Sequence, residues 1–574
     1  MISYRIELAD LHAHLFRVTL TVPQPAALQT VSLPVWIPGS YLVREFARHL
    51  SALQARQGKR ELPLTQLDKA TWQVACSGTA PLTVSCLVYA FDTSVRAAFL
   101  DADRGFFNGT SLCLRVHGRE QEPHQLSVAG LPKGWDIATA LTAASGRASF
   151  EAADYDELVD HPVELGRFWR GEFKAGGVVH EFVVAGALPD FDGERLLADT
   201  QRICATAIAF WHGKKKPPFK RYVFLLNAAE DAYGGLEHRA STALIAARRD
   251  LPQRGKADLT DGYVTLLGLI SHEYFHTWNV KRLRPADFAP YDYTRENYTE
   301  LLWFFEGFTS YYDDLLLLRS GLIDPPRYLR LVAKTVSGVL GMPGRKVQSV
   351  AQASFDAWVK YYRGDENTPN ATISYYTKGS LVALALDLTL RREGRGSLDD
   401  VMRGLWARSA GGPITEADIL AVLAEVGGRS YAAEFQAWVH GTGDLPLRDL
   451  LAAVAVSWTS QAPTLAQRCG LRVSESALTG VKVTAVLRGG AAEKAGLSAG
   501  DELLAVEGWR LRRLDDSLRL LPAKGAASLL VSRDQRVFTL GLQVPPAADE
   551  GAVTLGLGDV RSDALALRQA WLKG

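Results

Sequence analysis

The stretch Ser271-His272-Glu273-Tyr274-Phe275-His276-Thr277-Trp278 contains the pattern H-E-x-x-H within a run that is typical of a helix. Residues four apart share one helix face, so His272 and His276 can present two imidazoles to one ion. Zinc accepts nitrogen donors at about 2.0–2.1 Å and keeps one position open for water in catalytic sites. Glu273 follows the first histidine and can act on that water as a general base. The stretch therefore predicts a zinc hydrolase.

The residues before the motif favour a buried helix over one with solvated histidines. Asp261 is the expected N-cap. The first half of the helix is apolar on nearly all sides, through Tyr263, Val264, Leu266, Leu267, Leu269 and Ile270. Histidine and glutamate side chains on such a helix are costly to bury unless they are paired or bound to a metal. A metal site is therefore expected here.

The third ligand distinguishes the types of zinc peptidase. A metzincin needs Gly and then His or Asp at positions that Asn279 and Arg282 occupy, so that class is excluded. A downstream carboxylate remains, and the candidates are Glu296, Glu300 and Glu306. Glu306 lies in a long apolar helix, where a single acid needs a cationic partner. Glu300 is about 240° away around that helix and cannot face the same ion. Glu306 is favoured, with Glu296 as the alternative.

Three further motifs carry a resemblance to a known group of enzymes. Phe305-Glu306-Gly307-Phe308-Thr309 resembles the E-G-F motif that carries the glutamate ligand of the large gluzincin aminopeptidases. Tyr233-Gly234-Gly235-Leu236-Glu237-His238 is similar to their G-x-M-E-N motif, whose glutamate grips the substrate's free amino group. Tyr375-Tyr376-Thr377-Lys378-Gly379 resembles their Y-x-K-G motif, whose tyrosine stabilises the oxyanion. The resemblance implies these roles: metal ligand Glu306, substrate-binding Glu237 with Gly234 and Gly235, and oxyanion donor Tyr376.

The departures from that group narrow the resemblance. The spacer between His276 and Glu306 is longer than in the main aminopeptidase group, and the N-terminal part carries Pro34-Val35-Trp36-Ile37-Pro38-Gly39-Ser40-Tyr41. The C-terminal part looks like a PDZ module. This combination resembles the glycyl aminopeptidase family of gluzincins over roughly residues 3–545. It implies Zn²⁺ as the cofactor, peptides with a free N-terminus as substrates, and a preference for N-terminal glycine or alanine.

Length, net charge and cysteine content limit the functions that this chain can have. A length of 574 residues indicates three or four domains, and a net charge of +1 gives no field that would draw the protein to nucleic acid or membrane. The 5 cysteines are scattered and imply neither a disulfide framework nor a cysteine zinc site. The N-terminus has no apolar signal region, so a cytoplasmic location is expected, or a periplasmic one if a leader has been removed. The sequence does not indicate the oligomeric state.

The texture of the chain divides it into four parts. Residues 1–168 alternate apolar and polar residues, with expected strands at residues 4–8, 15–22, 82–89 and 111–116, and predict an all-β domain. Residues 169–454 form the catalytic domain, mixed α/β at first and then helical. Residues 455–545 form a PDZ-like domain, and residues 546–574 form a tail that ends in a helix. The predicted fold class is therefore multidomain α+β, with an N-terminal all-β domain, a thermolysin-like helical gluzincin domain and a PDZ-like domain.

Two local segments leave alternatives open. The turn Trp36-Ile37-Pro38-Gly39-Ser40-Tyr41 either anchors β packing or lines the cleft. In the catalytic part, Arg221–Leu226 and Ala240–Ala246 are expected strands on either side of a turn at Gly234-Gly235. An edge strand there would let a substrate add main-chain hydrogen bonds. The two glycines permit close backbone approach, and Glu237 would direct its carboxylate at the amine.

The PDZ-like part has two interpretations. Cys469-Gly470-Leu471-Arg472 can form a nest for the C-terminus of a peptide, as in modules that capture chain ends by strand addition. The other interpretation is a stabilising module without a ligand. The whole chain is therefore predicted to be a zinc-dependent aminopeptidase. The alternatives are a metallo-endopeptidase assisted by the PDZ module and a non-catalytic PDZ scaffold.

Overall fold

The computed structural model describes residues 1–146, 148–522, 525–546, 551–558 and 562–574. The chain forms two compact units, one of residues 1–297 with 406–414 and the other of residues 298–405 with 415–574. The first unit begins with a β-rich region, and the second is helical before it ends in a small β module. The predicted multidomain α+β class is confirmed. The domain boundaries at 168, 454 and 545 stay predictions.

The strands and helices of the first unit follow the alternation of the sequence. Its strands within the described residues are β1 (Ile2–Asp10), β2 (Leu15–Val22), β3 (Leu28–Ser32), β4 (Leu50–Gln57), β5 (Arg60–Leu62), β6 (Leu64–Asp68), β7 (Thr71–Ala75), β8 (Leu82–Tyr89), β9 (Ala98–Leu100), β10 (Arg104–Phe107), β11 (Arg115–Val116), β12 (His124–Ala129), β13 (Asp136–Ala138), β14 (Thr142–Ala143), β15 (Ser149–Ala152), β16 (Val163–Gly166), β17 (Trp169–Ala175), β18 (Val178–Ala185), β19 (Arg221–Ala229), β20 (Tyr233–Glu237) and β21 (Ser241–Ala247). Its helices are α1 (Gly109–Leu112), α2 (Tyr155–Val159), α3 (Gly193–His212) and α4 (Asp261–Phe275).

The β-rich region is built on an eight-stranded sheet of order β14-β15-β12-β1-β2-β8-β4-β5, with two four-stranded sheets beside it. Strands β2 and β8 bury every second side chain, as a sheet with one apolar face requires. The resulting core includes Phe16 and Val18 and continues into Val223 and Leu225 of β19. The β-rich region and the sheet that follows it therefore share one hydrophobic core.

A five-stranded sheet of order β17-β18-β19-β21-β20 follows the β-rich region. Strands β18, β19 and β21 run parallel and are almost continuously buried, as central parallel strands are. Strand β20 pairs antiparallel with β21 and lies at the sheet edge. The G-x-x-E segment that resembles the amine-binding motif is therefore on an edge strand.

Helices dominate the second unit. Its helices within the described residues are α5 (Leu302–Arg319), α6 (Pro325–Leu340), α7 (Val350–Phe355), α8 (Thr368–Ala371), α9 (Thr377–Arg392), α10 (Leu398–Ser409), α11 (Glu416–Gly427), α12 (Ala432–Trp438), α13 (Leu447–Ala453), α14 (Leu465–Cys469), α15 (Ala491–Lys494) and α16 (Ser562–Lys573). Helix α5 is buried on nearly all sides, and a capping box of Thr415 with Asp418 starts α11.

The C-terminal module has its own small core. Its strands are β22 (Val456–Ser460), β23 (Leu471–Ser476), β24 (Gly480–Val486), β25 (Glu502–Val506), β26 (Trp509–Arg510), β27 (Ala527–Arg533), β28 (Arg536–Leu542) and β29 (Val553–Leu557). Five of them form the path β23-β24-β25-β27-β28, and β22 pairs separately with β29. Asn370 fixes the module to the helical region, because its side chain bonds the backbone of Val486 at 2.9 Å and of Arg488 at 2.8 Å.

Three local predictions are corrected by the structure. The N-cap of α4 is Thr260, whose hydroxyl accepts from the Tyr263 amide, while Asp261 lies in the first turn. Gly234 and Gly235 lie in β20 rather than in a turn, because pairing with β21 extends their backbone. Residues 111 and 112, expected in a strand, lie in helix α1, where the Ser111 hydroxyl bonds the Asn108 carbonyl. A search of the described helices finds none with the length and hydropathy of a membrane span.

Candidate metal and peptide site

Helix α4 presents the two histidines at its C-terminal end. Its last residue is Phe275, and His276 is the C-cap with helical dihedral angles. The helix is buried along most of its length, including Glu273, which is 5% exposed. Nδ1 of His276 lies 2.8 Å from the Asn279 carbonyl, which turns the other ring nitrogen outward. The turn after the helix thus fixes the orientation of the second imidazole.

The donor atoms have the arrangement that a metal ion needs. Nε2 of His272 and Nε2 of His276 are 3.1 Å apart. Two nitrogens bound tetrahedrally to one zinc at about 2.0–2.1 Å would be roughly 3.3 Å apart. The ligand atoms of His272, His276 and Glu306 all lie within 4.8 Å of one another. The residues therefore fit a divalent metal of the zinc type, and within the described residues this group contains neither Glu296 nor Glu300.

Glycine contacts fix the helix that carries Glu306. A Cβ atom on Gly307 would lie 2.6 Å from Gly379 Cα and 2.9 Å from the Tyr375 carbonyl oxygen. A Cβ atom on Gly379 would lie 2.6 Å from the Trp303 carbonyl oxygen. Real Cβ atoms do not approach so closely, so both glycines are required for α5 and α9 to cross at this distance. The crossing therefore fixes the position of Glu306 relative to the first turn of α9.

Tyr376 lies directly before α9 in a cluster of aromatic rings. Its ring stacks with Tyr375 at 4.8 Å and with Tyr361 at 5.3 Å between centroids, and its hydroxyl is 3.5 Å from that of Tyr362. Burial, and then the charge of Glu306, raise the pKa of Tyr376 well above its ordinary value. Burial therefore favours the neutral phenol, which is a hydrogen-bond donor.

Gly235 makes room for the carboxylate of Glu273. A Cβ atom at Gly235 would lie 2.0 Å from Glu273 Oε1, so the carboxylate rests against the backbone of β20. Gly234 is less restricted, because the nearest atom to its Cβ position is a guanidinium nitrogen of Arg96 at 3.6 Å. Arg96 also donates to the Gly235 carbonyl at 3.4 Å. Of the two glycines predicted from the sequence, only Gly235 is sterically required beside the proposed base.

Glu237 is a buried carboxylate in contact with the N-terminal turn. It is 4% exposed, and its Oε1 has no hydrogen-bond partner among the described residues. A Cβ atom at Gly39 would lie 2.5 Å from both carboxylate oxygens, and Gly39 has φ +91°, a conformation that favours glycine. The turn around Trp36 therefore lies against this carboxylate and does more than anchor β packing.

A buried ion cluster holds the motif that contains Glu237. Asp160, directly after α2, bonds Lys281 Nζ at 2.7 Å, Arg239 Nε at 2.8 Å and His238 Nδ1 at 3.2 Å. Burial alone would raise the pKa of Asp160, but Lys281, Arg239 and His238 outweigh it and hold that pKa well below its ordinary value. A fully ionised Asp160 therefore fixes the residues that follow Glu237.

Comparisons with known proteins identify relatives of this chain. Three family profiles match: the Peptidase M61 N-terminal domain over residues 3–167, the M61 glycyl aminopeptidase over residues 265–382, and a PDZ domain over residues 482–533. The crystal structure of an aminopeptidase N family protein from Idiomarina loihiensis is 37% identical, with 100% of each chain covered and a TM-score of 0.94.

The chain belongs to the M61 glycyl aminopeptidase family.

The M61 assignment confirms the family resemblance and the enzyme class predicted from the sequence, a zinc metallo-aminopeptidase. The comparison also confirms a PDZ domain. An M1 zinc metallopeptidase mutant from Deinococcus radiodurans is 16% identical to this M61 chain, with 78% of this chain and 95% of that chain covered and a TM-score of 0.49. The same mutant bound to a Tyr-Ser-Ala substrate is 14% identical, with 78% of this chain and 94% of that chain covered and a TM-score of 0.49. None of the curated sequences compared with it matches significantly.

Three side chains at the M61 site were not predicted from the sequence. Asp160 and Lys281 lie far along the chain from Glu237, and neither belongs to a motif. Tyr362 also lies outside the motifs quoted from the sequence. A signal for Asp160 was the run Asp160-His161-Pro162, which places an acid at the end of a short helix, but no spacing rule links it to Glu237. Tertiary structure alone brings these groups together.

Proposed function

We propose that this M61 family member is a zinc-dependent aminopeptidase that removes the N-terminal residue of peptides, with a preference for glycine or alanine. The observation that carries the proposal is the group of His272, His276 and Glu306, with ligand atoms within 4.8 Å of one another. When bound, zinc supplies Lewis-acid chemistry that acidifies water and polarises the carbonyl of the scissile bond.

Glu273 is proposed as the general base. Its position directly after His272 places a carboxylate on the same helix end as the two imidazoles, and Gly235 leaves space for it. It takes a proton from the water that attacks the scissile carbonyl and then gives that proton to the leaving amine as the C–N bond breaks. One carboxylate therefore acts as a base in the first half of the reaction and as an acid in the second.

Tyr376 is proposed as the oxyanion donor. Burial favours the neutral phenol, and a donor to a developing oxyanion needs that proton. Tyr361 and Tyr375 both pack against the ring and against each other, so the donor needs little reorganisation. One such donor is typically worth about 2.7–4 kcal/mol of transition-state stabilisation. Tyr376→Phe should therefore lower kcat by about 10²–10³ with metal content unchanged.

Glu237 is proposed to bind the α-ammonium of the substrate. A buried carboxylate oxygen without a hydrogen-bond partner costs free energy, and a bound ammonium would remove that cost. The bond fixes the register of the peptide, so that only its first peptide bond is positioned for attack. The open edge of β20, which also carries Gly234 and Gly235, supports main-chain pairing with the substrate.

The preference for small residues rests on the family description, and the turn at Gly39 is consistent with it. This turn lies against the Glu237 carboxylate and narrows the space beside the proposed amine position. A panel of glycyl, alanyl, leucyl and phenylalanyl chromogenic substrates, with and without chelator, tests the function. Fastest turnover of the glycyl and alanyl compounds, abolished by chelator and restored by Zn²⁺, is expected. Activity that survives complete metal removal would reject the proposal.

An endopeptidase assisted by the PDZ domain is the second candidate, supported by the PDZ match at residues 482–533. Peptides with an acetylated N-terminus separate the two, because only an aminopeptidase depends on the free amine. Glu237→Ala should lower kcat/KM by at least 10²-fold for free peptides and leave any cleavage of acetylated peptides unchanged. An equal loss on both would reject the amine-binding role.

The metal ligand assignment has a matched pair of variants. Glu306→Ala should lower the zinc content in elemental analysis, and Glu296→Ala should leave it unchanged. The reverse result would move the third ligand to Glu296.

A peptide C-terminus at the PDZ domain is a further proposed partner.

A further inference from the structure

A cavity of about 40 Å³ lies at the first turn of α9, and its lining includes none of the residues proposed for peptide cleavage. Apolar side chains line most of it, among them Val339 of α6, Leu381 of α9 and Leu447 of α13, together with Trp458 of β22. One water needs about 15 Å³ on this measure, so the cavity can hold a small polar group. Its lining contains one ammonium group, that of Lys378.

Lys378 is buried without a partner. The residue is 2% exposed, and within the described chain its Nζ has no hydrogen-bond acceptor. Burial lowers the pKa of Lys378 to about 8. An ammonium in an apolar cavity is costly unless an anion or several acceptors reach it. The fold therefore maintains a cationic group that an anionic ligand would stabilise.

A second donor on the cavity wall also lacks an acceptor. Nε1 of Trp458 is buried and has no hydrogen-bond partner among the described residues. The lining also includes Asp444, but its carboxylate is bound by Arg345 at 2.9 Å and Lys346 at 2.7 Å. The cavity thus offers an ammonium and an indole N–H to a ligand that must bring its own acceptors.

The inner cavity adjoins a larger and more cationic one. A cavity of about 510 Å³, within the range of small-molecule sites, shares Leu340, Asp444 and Trp458 with it. Arg448 lies 5.2 Å from the centre of the Trp458 ring, and Arg472 donates to the sulfur of Met342 at 2.7 Å. Neither guanidinium meets a carboxylate in the part of the chain that the structure describes. The mouth therefore attracts anions, and the inner end combines an ammonium with apolar walls.

We propose that the two cavities form a binding site, separate from the peptidase site, for an apolar chain that ends in a carboxylate. The carboxylate enters the inner cavity and accepts from Lys378 Nζ and Trp458 Nε1. The preceding apolar groups lie against the apolar part of the outer cavity's lining, Leu340, Leu471 and Leu487, and the arginines at the mouth draw the anion in. Two sources have this chemistry, the C-terminus of a short peptide and a free aliphatic acid. The ligand contacts the first turn of α9, directly after Tyr376.

Calorimetric titration of the intact zinc-loaded protein tests the proposal with three probes: N-acetyl-Ala-Leu as the free acid, its C-terminal amide, and octanoate. The acetyl group removes the free amine that Glu237 is proposed to bind. The free acid is expected to bind at least 10-fold more tightly than the amide. Tighter binding of the peptide acid than of octanoate assigns the site to peptide C-termini, and the opposite order assigns it to aliphatic acids. Equal binding of acid and amide would overturn the site.

Variants locate the binding. Lys378→Met should lower affinity for the free acid at least 10-fold with zinc content unchanged, and Trp458→Phe, which keeps the ring and removes the N–H, should lower it about 3-fold. Lys482→Met, at an exposed lysine of β24, is the matched control and should bind as the unchanged protein does. Wild-type affinity in both Lys378→Met and Trp458→Phe would overturn the assignment even if acids bind elsewhere, for example at the metal.

Discussion

At the scale of single residues, the proposed site depends on residues that no other residue type can replace. Glu273 differs from glutamine by one charge and no appreciable volume, yet only the carboxylate can accept a proton from water at neutral pH. Gly235 leaves its carboxylate room that any side chain would fill, since a Cβ would lie 2.0 Å from Glu273 Oε1. The residue type at positions 273 and 235 therefore depends on a particular functional group and on the absence of a side chain, and not on hydrophobicity.

Glu273→Gln should retain zinc and lose turnover. The amide keeps the shape of the side chain but cannot take the proton, so kcat is expected to fall by about 10²–10⁴. Steady-state kinetics on a glycyl chromogen, together with elemental analysis of the same sample, measures both effects. Near-normal kcat in a fully metal-loaded variant would contradict the base assignment.

At the scale of elements, the crossing of α5 and α9 matters most. Gly307 and Gly379 bring the two helix backbones into contact directly beside Glu306 and close to Tyr376. A glycine inside a helix normally costs about 1 kcal/mol relative to alanine. Here that cost is offset by a crossing that no larger residue permits. The same helix α9 carries Lys378, whose buried ammonium is a second departure from ordinary packing.

Gly307→Ala should separate α5 from α9. The new methyl group would lie 2.6 Å from the Gly379 backbone, and such overpacking typically costs about 1–3 kcal/mol. We expect a lower Tm and weaker zinc retention against a chelator. Gly338→Ala, in α6 with no atom within 4 Å of the new Cβ, is the matched control and should be neutral or stabilising. Equal effects of the two substitutions would show that the close crossing is not required.

Lys378→Met should stabilise the protein in a pH-dependent way. The pKa of Lys378 is about 8 in the fold against an ordinary value of 10.5, so the folded state disfavours the proton. Below pH 8 Lys378 is protonated in both the folded and the unfolded state, so the folded state carries the full cost of burying the charge. Between about pH 8 and 10.5 only the folded state loses the proton, so the stability of the wild type rises with pH. Lys378→Met should therefore raise the free energy of unfolding by on the order of 1–2 kcal/mol at pH 7, and by less as the pH rises through this window. Denaturant unfolding at pH 7 and pH 10 measures it, and an equal gain at both would contradict the shift.

At the scale of the second unit, the last helix returns to the helices of the site. Trp571 of α16 is fully buried, and its Nε1 donates to the Tyr311 hydroxyl of α5 at 2.9 Å. Arg319 donates to the Trp571 carbonyl at 3.1 Å, and Arg391 of α9 donates to the Ala570 carbonyl at 2.7 Å. The segment after the PDZ domain thus completes the packing of the helices that carry Glu306 and Lys378.

Trp571→Ala should destabilise the second unit. Removal of a fully buried indole costs about 3–5 kcal/mol, and we expect weaker zinc retention because α5 loses its support. Thermal unfolding followed by circular dichroism is the measurement. Trp509→Ala is the control, because Trp509 is 67% exposed and its loss should change stability by less than about 0.5 kcal/mol. Similar melting of both variants would show that α16 contributes little.

Local sequence determined the elements of this protein. The periodicity of residues 15–22 and 82–89 set strands β2 and β8 at the predicted bounds, and 562–573 formed the predicted terminal helix. The spacing of His272 and His276 was enough to predict a metal site, because residues four apart share a helix face whatever the rest of the fold does. The prediction of a turn failed at Gly234 and Gly235, where pairing with the neighbouring strand β21 extends the backbone of β20.

The sequence by itself predicted the proposed chemistry: the pair His272 and His276 with the proposed base Glu273 from one short motif, and Glu306 as third ligand with Glu296 as the alternative. Only the tertiary structure decided which distant groups surround them. Asp160 and Lys281 beside the Glu237 motif, Gly39 against the Glu237 carboxylate, and Trp458 with Lys378 are separated by tens to hundreds of residues. No periodicity links such positions, because their proximity comes from packing one element on another, which depends on the free energy of the whole chain.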